Sequence, residues 1–105
     1  MRSGGRSQVS DGVRIILPAV LRELADGASE LVVPLGVEAV SLRTVLDRAF
    51  VTRPLLGARI RDETGALRRH VNVFVDGQDV RRRGGLDHLV GPDAVVHILP
   101  SVAGG

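Results

Sequence analysis

Residues 41–51 read SLRTVLDRAFV, and the spacing of their apolar side chains decides the fold. Leu42, Val45, Leu46, Ala49 and Phe50 fall at i, i+3, i+4, i+7 and i+8, one stripe of an amphipathic helix. Ser41 stands where its hydroxyl can accept from the free N–H groups of the first turn. Pro54 biases Arg53 away from helical angles, so the spacing predicts a helix end near Thr52.

On both sides of this helix the apolar period is two. Upstream, VRIILP over 13–18 puts Val13, Ile15 and Leu17 on one face and Arg14 and Ile16 on the other. The polar, glycine-broken stretch LRELADGAS over 21–29 reads as a connection. ELVVPLG over 30–36 reads as a second strand, with Pro34 marking an edge or an early end. A hairpin of these two strands is the economical arrangement. Downstream, LLGARIRDETGALRR over 55–69 reads as loop, with a short helical turn near Leu55 to Ile60 and a turn at 63–65. HVNVFVDG over 70–77 is the clearest strand. Val71, Val73 and Val75 alternate with His70, Asn72 and Phe74, and Asp76-Gly77 marks a turn. A short edge strand is expected around Val80, a helical turn at Leu86 to Leu89, and a last strand over Ala94 to Leu99. The order is strand, strand, helix, strand, short strand, strand. A sheet and a helix that each have one apolar side must bury them against each other. The fold predicted is α+β, a β-grasp (ubiquitin-like) layout with a mixed sheet of four to five strands packed on one main helix.

Bulk properties bound the function. The 105 residues suffice for one small core. With no cysteine, a disulfide scaffold, a zinc–cysteine site, an iron–sulfur cluster and a thiol nucleophile are excluded, and a cytoplasmic setting is expected. No apolar run approaches a membrane span, so no membrane partner is expected. The pI of 10.9 reflects the fact that every basic residue beyond the histidines is arginine; the net charge is only +2, so no nucleic-acid partner is expected. The run Arg81-Arg82-Arg83 reads as a solvated turn or as a phosphate or carboxylate contact. His70, His88 and His97 lack metal-ligand spacing, so no metal and no bound cofactor are expected. Gly84-Gly85 reads as turn chemistry. Residues 1–12 read as a flexible leader, residues 13–100 as the domain and residues 101–105 as a flexible tail.

If Val71, Val73 and Val75 face the helix, Phe74 lies on the open face of the sheet. The same alternation places Ile16, His97 and Leu99 outward. These four form a candidate partner-binding patch, unless the leader or the loop over 55–69 covers it. Beyond them the chain leaves through Pro100 into Ser101, Val102, Ala103, Gly104 and Gly105. Glycine has no Cβ and passes a narrow channel at angles barred to other residues. Five extended residues reach roughly 17 Å.

HVNVFVDGQDVR over 70–81 and GGLDHLVGPDAVVHILPSVAGG over 84–105 resemble the MoaD/ThiS family of ubiquitin-like sulfur carriers, with a tail close to the branch serving cysteine synthesis. The family's usual acidic turn before the last strand is replaced here by Gly91-Pro92-Asp93-Ala94. The resemblance implies a protein cosubstrate without catalysis of its own. On this resemblance, an activating enzyme of the ubiquitin-activating type, which uses ATP, would adenylate the Gly105 carboxylate. A sulfur donor would then leave a thiocarboxylate, to be presented to a sulfur-accepting biosynthetic enzyme. The acceptor stays open between cysteine synthesis, molybdopterin (where the chain would be the small subunit of a synthase), thiamine thiazole and a specialised metabolite. A ubiquitin-like interaction module and a protein modifier remain as alternatives of another class.

Overall fold

The computed structural model describes residues 12–100. The elements are strands β1 (Val13–Ile16), β2 (Glu30–Val33), β3 (Val40–Ser41), β4 (Val71–Val75), β5 (Gln78–Asp79), β6 (Leu89–Val90) and β7 (Val95–Pro100), with helices α1 (Leu42–Phe50) and α2 (Pro54–Ile60). Short 3-10 turns cover Ala19–Ala25, Val80–Arg82 and Gly85–Asp87. The main sheet runs β2-β1-β7-β4-β5 and is mixed: β1 and β7 are parallel, and the other pairs are antiparallel. β3 and β6 form a separate two-stranded sheet.

The expected β-grasp arrangement is present. All five apolar residues of the α1 stripe are buried, and the Ser41 Oγ accepts from the Thr44 N–H at 3.2 Å, so the cap forms as the sequence requires. Opposite them lie Val13 and Ile15 of β1, Val71, Val73 and Val75 of β4, and Val96 and Ile98 of β7, all buried. Burying such side chains contributes about 1.5–3 kcal/mol each.

Four local expectations are corrected. First, residues 19–25 are not a bare connection. They form a 3-10 turn that buries Ala25 and packs Leu21 and Leu24 against the core. Second, the helical turn expected near Leu55 to Ile60 is a full second helix. Pro54 opens it at a position where its missing N–H costs nothing, and Leu56 and Ile60 are buried. Gly57 lets this helix approach α1, since a Cβ there would come within 3.0 Å of the Phe50 Cβ. Third, the short edge strand stops at Asp79. Val80 lies wholly in the core at the start of a turn capped by the Asp79 carboxylate, which accepts from the Arg81 N–H at 3.0 Å. Fourth, the turn expected at Leu86 to Leu89 spans Gly85–Asp87, and Leu89 instead pairs with Ser41.

Candidate functional site

The open face of the sheet is built by register. Ile16 lies beside His97 across the parallel β1–β7 pair, and Phe74 lies beside His97 across the antiparallel β7–β4 pair. Ile16, His97 and Phe74 therefore form one continuous cross-strand row. Leu99, two residues beyond His97, stands on the same face next to Asn72. Ile16 and Phe74 are half-buried, and His97 and Leu99 are exposed. The row ends in an acid on each side, because Glu30 pairs with Ile16 and Asp79 with Phe74. Glu30 is bonded by the Arg14 guanidinium at 2.8 Å, and this contact holds the arginine above its ordinary pKa. The centre of the face is thus apolar and aromatic, with charge at its margins. Such a surface suits a protein partner.

The end of β7 is firmly held. Pro100 pairs with Val71 at the start of β4. The Arg81 Nη1 donates to the Val71 carbonyl at 2.6 Å and to the Asn72 Oδ1 at 3.1 Å, and its Nη2 donates to the Arg68 carbonyl at 2.8 Å. Arg81 lies exposed in a turn, as one reading of the sequence expects, but its guanidinium is tied to main-chain carbonyls rather than left open for an anion. It braces the backbone at the border where β7 delivers the chain. Nothing in its local sequence signals this, because its acceptors come from the far side of a hairpin. At the opposite end of β7, Asp76 adopts φ 49° and clamps Val95: its N–H donates to the Val95 carbonyl, and its Oδ1 accepts from the Val95 N–H, both at 2.9 Å.

The tail residues Ser101, Val102, Ala103, Gly104 and Gly105, and residues 1–11 of the leader, lie outside the described residues. Among the described residues no group of three or more histidine, aspartate or glutamate side chains could hold a metal ion. The His88 ring Nδ1 lies 3.2 Å from the Arg83 carbonyl. No helix among the described residues is long and apolar enough to cross a membrane.

The chain was compared with known proteins. It is 30% identical over 95 residues to the sulfur carrier protein CysO of Mycobacterium tuberculosis, an alignment covering 89% of this chain and 98% of that protein. Among solved structures it is similar to a chain of the BexX/CysO complex of Amycolatopsis orientalis, with TM-score 0.73, 30% identity, and 89% of this chain and 99% of that chain covered. It is also similar to the small archaeal modifier protein 1 of Methanosarcina acetivorans, with TM-score 0.69, 32% identity, and 92% and 99% covered. The model of the ThiS family matches residues 15–105, from the first strand through both terminal glycines. That match, over a β-grasp domain whose last strand leads into Gly104-Gly105, means that the chain belongs to the ThiS family.

Proposed function

We propose that the protein is a sulfur carrier whose working group is the carboxylate of Gly105. The observation that carries this reading is the family match, which runs through Gly105 itself. The chain is a protein cosubstrate, and the chemistry is done by its partners. An activating enzyme binds ATP; the Gly105 carboxylate attacks the α-phosphorus, and pyrophosphate leaves. The resulting acyl-adenylate is electrophilic where the free carboxylate is not. A sulfur donor attacks the acyl carbon, AMP departs with the oxygen, and a thiocarboxylate remains. Gly104 and Gly105 thread the activating enzyme's channel because they lack a Cβ, and Pro100 to Ala103 form the approach.

The body of the domain supplies recognition. Ile16, Phe74, His97 and Leu99 form the surface on which the activating and sulfur-accepting enzymes dock. Likeness to CysO favours cysteine synthesis as the pathway, and the BexX/CysO complex supports docking of this fold on a partner protein. A second reading, attachment of Gly105 to lysines of other proteins, is favoured by the likeness to an archaeal modifier.

Intact-mass spectrometry tests the assignment. Incubated with a ThiS-type activating enzyme, ATP and sulfide, the chain should gain the mass difference between sulfur and oxygen. Deleting Gly105 should abolish that gain and leave the melting temperature unchanged. Equal thiocarboxylate formation by the truncated chain would overturn the reading. Adducts on lysines of other proteins, without the sulfur gain, would establish the modifier instead.

A further inference from the structure

Strand β2 borders the main sheet, and no strand among the described residues pairs with its outer side. The phase of its hydrogen bonds follows from two contacts. The Leu17 N–H donates to the Ser29 carbonyl at 2.9 Å, and the Arg14 N–H donates away from β2, to the Ala94 carbonyl at 3.1 Å. In an antiparallel ladder every second residue bonds its neighbour. With the register Val13 to Val33 and Ile15 to Leu31, residues 29, 31 and 33 therefore turn their main-chain groups towards β1. The N–H and C=O of Glu30 and Val32 turn outward, with no partner among the described residues.

A groove of about 340 Å³ runs between this edge and the C-terminal end of α1, lined by β2 and by Arg48, Ala49, Thr52 and Arg53. Neither arginine forms an ion pair with a described acid. Glu30, which also lines the groove, is already held by Arg14. The Arg53 Nε–H is shielded from solvent without an acceptor, and its Nη1 reaches only the Thr52 Oγ1 at 3.5 Å. A shielded donor left unbonded is unfavourable. A carboxylate entering the groove would give the guanidinium a charge-assisted acceptor.

We propose that the β2 edge and this groove dock an extended acidic peptide of a partner protein, which adds to the sheet as a further strand. Main-chain bonds to Glu30 and Val32 supply attachment, and carboxylates facing Arg48 and Arg53 supply selectivity. Residues 1–11 of the chain itself are the wrong occupant: they carry two arginines against one aspartate, and like charge is repelled from a groove bearing two guanidinium groups. The edge spans only Glu30–Val33, which limits pairing between copies of the chain and suits a transient contact. This surface meets the Ile16–His97–Phe74 row only at Glu30 and is independent of the sulfur chemistry.

The test is a titration of the full-length, nitrogen-15-labelled chain, followed by amide shifts. The probe is a short synthetic peptide of alternating valine and isoleucine followed by a run of aspartates; its control replaces the aspartates with lysines. Shifts should concentrate at residues 30–33 and 48–53, and the lysine peptide should bind at least about ten-fold more weakly. Arg48→Glu, an exposed change outside the core, should weaken the acidic peptide about ten-fold while leaving the spectrum of the free chain folded. Equal affinity for the two peptides, or shifts confined to the open sheet face, would overturn the proposal. Binding that appears only after residues 1–11 are removed would overturn it too, since the chain's own segment would then hold the edge.

Discussion

Asp62 closes the loop between α2 and β4. Its Oδ1 accepts from the Thr64 hydroxyl at 2.5 Å, from the Thr64 N–H at 2.8 Å and from the Ala66 N–H at 3.2 Å. These bonds, the Thr64 hydroxyl foremost, hold the carboxyl below its ordinary pKa. A carboxyl whose folded pKa is lowered stabilises the fold fully above its unfolded value, about 3.9, and loses that contribution as pH falls through the folded one. The expected result is an Asp62 carboxyl midpoint, read by carbon-13 NMR, below the ordinary aspartate value of about 3.9. Asp62→Asn should reduce the acid sensitivity of the loop. Phe74 is the other residue with a separable role. It is half-buried on the open face, so Phe74→Ala should cost about 1–2 kcal/mol of stability. Its loss should weaken docking of the activating enzyme by at least about ten-fold, as calorimetry on the folded variant would show. The outward phase of Phe74, Ile16, His97 and Leu99 was legible because Val71, Val73 and Val75 left one alternation open. The bracing by Arg81 was not: its acceptors at Arg68 and Val71 meet it only once the chain has turned back.

At the scale of elements, legibility followed length. Helix α1 carries five apolar anchors at one period, and β4 carries three valines at another, so each was readable alone. β3 and β6 hold two residues apiece, too few to show any period. The turn over residues 19–25 does carry an apolar spacing, at Leu21, Leu24 and Ala25, but Arg22, Glu23 and Asp26 gave the stretch a polar aspect. Helix α2 shows how much such a short element can contribute. Leu56 is wholly buried between α1 and the rest of the core, whereas its neighbour Leu55 is 71% exposed. Leu56→Ala should therefore destabilise by about 2–5 kcal/mol, a large share of the stability of so small a domain. Leu55→Ala should stay within about 0.5 kcal/mol. Urea midpoints of the two variants check this; similar midpoints would mean that α2 is not part of the core.

Across the whole molecule, the strand order places the first and last strands side by side in the middle of the sheet. Within the sheet the β1–β2 hairpin and the β4–β5 hairpin are joined through β7, which is hydrogen-bonded to both β1 and β4. This central pairing is non-local, since Arg14 lies opposite Val95, and contacts of that kind form late because a long loop must close first. Until β7 inserts, Ile16 and Phe74 belong to two unconnected ribbons. His97 then joins them into a single surface, and the same event anchors Pro100 against Val71. A half-made or misfolded copy has no such surface to offer. An enzyme that grips this row before spending ATP would thereby be inspecting the workmanship of each molecule, admitting finished copies and ignoring the rest.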